Sequence, residues 1–219
     1  MVEKKTLLIR ADATPEMGSG HVMRCLALAQ AWKRIGGKSL FVSAAVPDML
    51  ADRLRNSGIA LKRISVEYGS ETDSAVTSAT ASVEHAAWSV IDGYQFTSRY
   101  YQRLKSCGSR VLVMDDVCHT DRYDVDAILN QNPYASEEVY RSRGSDASLF
   151  LGTRYVLLRR IPESRSLSIE EGGRRCTYTR YHGRNRPLEH DREGCYRFTE
   201  SSGHGGGMCH CTGRRSSAV

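Results

Sequence analysis

The sequence predicts an α/β protein with a Rossmann-like, doubly wound parallel sheet. Three observations carry that expectation. Short apolar runs recur between residues 6 and 130; helical stretches separate them; and polar residues follow the carboxyl end of one run after another. Strands that alternate with helices imply parallel pairing with right-handed crossovers.

Thr6–Arg10 (TLLIR) is the first buried strand, an apolar run of the length such strands take. Gly18-Ser19-Gly20 then gives a turn, and from His21 the pattern turns helical, with Val22, Leu26 and Ala29 recurring at three- and four-residue steps. Gly36-Gly37 stops this helix, and Ser39–Ser43 reads as a second strand. Asp48–Asn56 is a short helix closed by Ser57-Gly58, and Ile59–Ile64 alternates as a third strand. Ser70–Ala87 is weakly helical, Trp88–Ile91 a fourth strand and Phe96–Ser106 a helix. Arg110–Met114 and Ala127–Leu129 complete the series as the fifth and sixth strands.

Candidate site residues follow from the strand ends. Arg10 and Asp12 follow strand one, Asp92 and Tyr94 strand four, Asp115 and Asp116 strand five, and Asn130 and Asn132 strand six. In an open α/β sheet these positions share one rim, where ligands bind. Gly18 and Gly20 open a helix whose unpaired N–H groups and dipole suit an anion. His21 in that first turn is the expected general base, since the dipole disfavours imidazolium, and Arg24 lies one turn on. The Asp115-Asp116 pair could suggest a metal, but neighbours in a chain point apart and no further ligands complete a set, so no metal and no cofactor is expected.

Arg10-x-Asp12 followed by Gly18-x-Gly20-His21-Val22-x-Arg24-Cys25-Leu26-x-Leu28-Ala29 resembles the amino-terminal signature of a hydrolase family. Its members cleave UDP-2,4-diacetamido-2,4,6-trideoxy-β-L-altropyranose in pseudaminic acid biosynthesis; spore-coat polysaccharide proteins share the signature, and the family resembles the two-domain GT-B glycosyltransferases. Asp92-Gly93-Tyr94, the Asp pair, Asn130-x-Asn132 and the segment Gly152-Thr153-Arg154-Tyr155 are similar at matching places, so the resemblance covers roughly residues 5–160. It implies a GT-B-like amino-terminal domain and hydrolytic release of UDP from a 6-deoxy diacetamido sugar. His21 would be the catalytic group, and Arg10, Asp12, Gly18, Gly20, Arg24, Asp92, Tyr94, Asp115, Asn130, Asn132 and Tyr155 would bind substrate. The alternatives are the acceptor domain of a GT-B glycosyltransferase and a non-catalytic, vestigial binding protein.

Composition limits the other classes. A net charge of +6 over 219 residues argues weakly for nucleic acid, and no partner of that kind is expected. Mean hydropathy is −0.44. No run approaches a membrane span and no signal-peptide core is visible, so a cytoplasmic protein with no membrane partner is expected. Cys25, Cys107 and Cys118 are scattered as free thiols are.

Residues 161–219 differ from what precedes them, with 15 apolar residues among 59. Arg174–Ser217 is built from Arg, Gly, Ser, Thr, His and Cys, and shows no period of two or of 3.6. Out-of-frame reading of a GC-rich gene produces such a composition, so a frameshifted or disordered tail is the expectation. Zinc binding by Cys176, His182, His190, Cys195, His204, Cys209, His210 and Cys211 is the sharper alternative, but no Cys-x₂-Cys pair is present and the spacing fits poorly. The glycine-rich turn that holds UDP in the family's second domain is not legible after Pro162, so weak or absent hydrolysis by this chain is expected. Self-association through an exposed interdomain face would accompany it.

Limited proteolysis tests the tail. Cleavage should leave a resistant core ending near Arg160; zinc-dependent protection beyond residue 165 would favour the metal reading instead.

Overall fold

In a computed structural model of the chain, residues 5–158 are described throughout, together with the strand segments 166–171, 174–180 and 207–212. The chain divides into two compact units, Met1–Arg160 and Ile161–Val219.

The first unit has seven parallel strands: β1 (Thr6–Ala11), β2 (Lys38–Ser43), β3 (Ala60–Arg63), β4 (Ala86–Asp92), β5 (Arg110–Met114), β6 (Ala127–Asn130) and β7 (Ser148–Leu151). Their order is β3-β2-β1-β4-β5-β6-β7. Helices α1 (Gly20–Arg34), α2 (Asp48–Asn56), α3 (Glu71–Val83), α4 (Ser98–Ser106) and α5 (Glu137–Arg141) lie between strands, and a 3₁₀ turn (Thr153–Tyr155) follows β7. This is the Rossmann-like, doubly wound class that the alternation of runs predicts. Among the described residues no helix is long and apolar enough to cross a membrane.

Period-two alternation along β1 divides the core. Leu7, Ile9 and Ala11 join Val22, Cys25, Leu26 and Ala29 of α1 on one face. Leu8 faces the other way, into a cluster with Phe96 and with Tyr100, Tyr101 and Leu104 of α4. Arg10 shares the parity of Leu8 and is fully buried. A buried guanidinium must be paired, and Asp73 of α3 supplies a bidentate partner, Nε to Oδ1 at 2.9 Å and Nη2 to Oδ2 at 2.7 Å. Nη1 forms an ion pair with Asp12 at 2.7 Å, and the guanidinium lies 5.3 Å from the centre of the Phe96 ring. Asp73 also accepts from Tyr100, Thr77 and the Gly69 N–H. Burial alone would raise the Asp73 carboxyl, yet Arg10 and these donors hold it below the usual carboxylate range.

Within the first unit, one strand and one helix were not foreseen from the sequence. β7 is four residues long and α5 five, too short for either period to register. The α3 helix also stops earlier than expected. His85, in the left-handed region at φ 46°, ends it, and Ala86-Ala87 belong to β4.

The second unit contains an antiparallel sheet of β8 (Ser166–Glu171), β9 (Arg174–Arg180) and β10 (Gly207–Thr212), in the order β10-β9-β8. Pairing sets Cys176 opposite Ile169 on one side and Cys211 on the other. Cys176 therefore lies on β9 and Cys209, His210 and Cys211 on β10, while His182, His190, Cys195 and His204 of the considered zinc set lie outside the described residues.

Asp73→Ala would strand the Arg10 charge among apolar groups, so it should cost about 3–5 kcal/mol. The double variant Arg10→Met/Asp73→Leu should recover much of that. Urea denaturation measures both; a loss below about 1 kcal/mol for Asp73→Ala would show that Arg10 finds another partner.

Candidate functional site

Strand order reverses between β1 and β4, and the carboxyl ends of those two strands frame the crevice. The turn after β1 folds back through Gly18 N–H to Thr14 C=O at 2.8 Å, with Gly18 at φ +72°, a conformation that favours glycine. It delivers the first turn of α1 to the rim, so that His21 and Arg24, three residues apart, share one helix face.

Both side chains converge on Asp92, the last residue of β4, which is wholly buried. Arg24 grips it with Nε to Oδ2 and Nη2 to Oδ1, each at 2.6 Å. His21 Nδ1 lies 2.5 Å from Oδ1. An approach that close to a carboxylate requires a hydrogen between the atoms, so Nδ1 donates to Asp92. Arg24 turns its remaining nitrogen outward, where Nη1 binds both oxygens of Asp116 at 2.8 Å. Burial disfavours the Asp92 charge, but Arg24 and His21 outweigh it and the carboxyl stays below its usual range. The Cys25 thiol, also donating to Asp92, is pushed well up by burial and by that charge.

Asp116 gathers the remaining contacts. It accepts from Tyr94 Oη at 3.0 Å and from Asn132 Nδ2 at 3.2 Å. The Tyr94 hydroxyl is raised to about 12, by burial and then by Asp116. Tyr94 is 51% exposed, and its ring meets His21 edge-on with centroids 5.3 Å apart. His21, Arg24, Asp92, Tyr94 and Asn132 are thus brought together with Asp116, Arg24 joining the two carboxylates.

Four other anticipated contacts are engaged within the fold. Arg10 is consumed by Asp73 and Asp12. Asp12 accepts from Ser43 Oγ and from the N–H groups of Ala44 and Ala45, fixing the loop after β2. Asp115 is buried, with Oδ1 accepting from the N–H groups of Asp116, Val117 and Cys118 and Oδ2 from Tyr123 Oη. Asn130 is buried, donates to Tyr140 Oη and accepts the Asn132 N–H. These four hold the rim together. Gly18 and Gly20 lie exposed at the start of α1. Tyr155 is half-buried beyond β7, packed edge-on against Phe150 and under the Arg154 guanidinium.

Sequence reasoning set Asp116 on the rim beside Asp115 but named only Asp115 as a substrate contact, and it did not single out His119, which lies behind Tyr94. Alternation of neighbouring side chains was the available signal for Asp116: Asp115 points in, so Asp116 points out. His119 follows no strand end directly and left no signal. Among the described residues no group of three or more His, Cys, Asp or Glu side chains is placed to hold a metal ion.

No protein-family model matches the chain, and no curated protein matches it in sequence. Among solved structures, a glycosyltransferase from Rickettsia africae ESF-5 aligns with a TM-score of 0.39 at 11% identity, over 52% of this chain and 30% of that one. MurG from Acinetobacter baumannii aligns with a TM-score of 0.43 at 13% identity, over 66% of this chain and 44% of that one. The chain spans less than half the length of either. The fold class rests on the chain's own strand order.

Acid should dismantle the rim in a defined window. The Asp115 carboxyl is drawn down to about 2, burial being outweighed by His119, Tyr123 and the loop N–H groups. A folded value below the unfolded one adds stability that is complete above the unfolded value and is lost as pH falls through about 2. The contribution is about 2 kcal/mol. Asp115→Asn should remove this part of the acid dependence between pH 5 and 2; unchanged urea midpoints across that range would refute it.

Proposed function

We propose that this domain supplies the base side of a site that transfers a glycosyl group from a UDP-sugar to an oxygen nucleophile, with water as the nucleophile. The observation that carries the reading is His21 held through Nδ1 by Asp92, which leaves Nε2 as the ring nitrogen the carboxylate does not engage. A base so oriented accepts a proton from an attacking O–H, while the buried carboxylate stabilises the imidazolium that results. The resemblance of residues 5–160 to the UDP-sugar hydrolases supports the substrate class.

In the reaction, water attacks the anomeric carbon opposite the diphosphate. The new C–O bond forms as the bond to the phosphate oxygen breaks, UDP leaves with the electron pair, and His21 Nε2 takes the proton. Tyr94, Asn132 and Asp116 offer a ring face, an amide and a carboxylate to sugar hydroxyl and acetamido groups. Arg24 is already neutralised by Asp92 and Asp116, so stabilisation of the departing diphosphate needs donors outside this cluster.

A second reading keeps the same base but replaces water by an acceptor hydroxyl, which makes the domain the acceptor half of a glycosyltransferase. The half-exposed Tyr94 ring favours it, since an acceptor sugar can lie on an aromatic face beside the base.

A single-turnover assay in ¹⁸O-water, with protein in excess over the UDP-sugar, tests both. Slow UDP release with ¹⁸O in the free sugar is expected, and His21→Asn should lower the rate by ~10²-fold or more. Asp92→Asn should lower it by at least about tenfold, because Nδ1 loses the partner that fixes the tautomer. UDP release that requires an added acceptor and leaves no label in the sugar would select the second reading. A His21→Asn rate equal to that of the unaltered chain would remove His21 from the chemistry in either case.

A further inference from the structure

His119 sits beneath the Tyr94 ring, outside the cluster that would touch substrate, and both of its ring nitrogens face acceptors. Nδ1 lies 3.2 Å from Asp115 Oδ1, and Nε2 lies 3.1 Å from the Phe96 carbonyl oxygen. A neutral imidazole has one N–H and cannot satisfy both; an imidazolium can. We propose that His119 is a positioning residue that works as an imidazolium, tying the loop that carries Tyr94 to the loop that carries Asp116.

The two loops need such a tie. Asp116, Val117 and Cys118 hang from Asp115 Oδ1, the oxygen His119 also engages. Cys118 is held in the left-handed region at φ 55°, a strained conformation for a residue with a Cβ. On the other side, Phe96 closes the β4–α4 loop two residues after Tyr94, whose ring meets His119 edge-on at 5.8 Å. Loss of the His119 proton would set a nitrogen lone pair against either Asp115 or the Phe96 carbonyl, loosening one of the two loops.

Every element packed around His119 contributes a titratable or charged group. Asp115 lies on its own loop, Tyr94 on the β4–α4 loop, Tyr101 on α4 and Tyr123 on the segment before β6. Tyr101 Oη is 3.4 Å from Nε2 and already donates to the Phe96 carbonyl. Tyr101 and Tyr123 are both raised by burial and stay neutral. Arg143, after α5, donates to the Thr120 carbonyl, and its charge opposes that of His119. Burial also disfavours the imidazolium, but Asp115 and the Phe96 carbonyl outweigh both and hold His119 above its ordinary value. The stability it adds is therefore complete below the unfolded histidine value and is lost as pH rises through the raised one.

The inference rests on Tyr94 and Asp116 being sugar contacts, but its readout requires no turnover. Long-range ¹H–¹⁵N correlation spectra of the ¹⁵N-labelled chain report the protonation of each histidine nitrogen. At pH 6 both His119 nitrogens should lie in the protonated range, and the midpoint of their titration should lie above ~6.5. Tyr94 ring signals should move with the same midpoint. His119→Gln, which donates from one amide end and does not titrate, should remove that inflection from Tyr94. A His119 that is neutral at pH 6, or a Tyr94 inflection at the same pH in the folded variant, would overturn the proposal. Should the variant fail to fold, the titration of the unaltered chain decides. A protonated His119 alongside an inert His21→Asn substitution would count against the catalytic reading alone.

Discussion

A carboxylate at the end of a central strand is buried in an environment that penalises its charge, and it is kept ionised by two side chains from the opening turns of α1. Asp92 imposes that constraint. Without Arg24 it would be an uncompensated buried charge; without Asp92, Arg24 and His21 would have no common anchor. The crossing point of the sheet makes the arrangement possible, because only there do the carboxyl end of β4 and the start of the helix after β1 meet. The electrostatics of the site are thus a consequence of strand order.

A second buried ion network stands behind the first. Arg10 is one pleat away from the α1 face and turns toward α3 and α4, where Asp73, Asp12 and Phe96 enclose it. One network fixes α1 to β4 and the other fixes β1 to α3. Between them β1 is clamped from both sides, which holds the glycine turn in place without side-chain capping by Ser19. Preorganisation of this kind lets a base keep its orientation before any ligand arrives.

The sheet was largely legible because β1, β2, β4 and β5 are apolar runs long enough to count. β7 and α5 were not, and nothing in the sequence marks His85 as the end of α3, since that residue adopts a backbone conformation usually left to glycine. In the site, His21, Arg24 and Asp92 could be read from position alone. The direction of Arg10 is not legible, because a strand-end arginine gives no hint of it; the residue that pairs with it is 63 positions away. Asp115 and Asp116 show the converse. Both were visible, and only the inward pull of Tyr123 and three loop N–H groups decides which one builds and which one faces the crevice.

Arg24 joins three positions that the chain keeps far apart, with Asp92 68 residues and Asp116 92 residues beyond it. Each carboxylate is balanced by the same guanidinium, so no one of the three can change its charge without unbalancing the others. Substitutions here would be strongly non-additive. Over evolutionary time the trio would tend to persist intact or drift together, and in any collection of related chains the three columns should vary as a set.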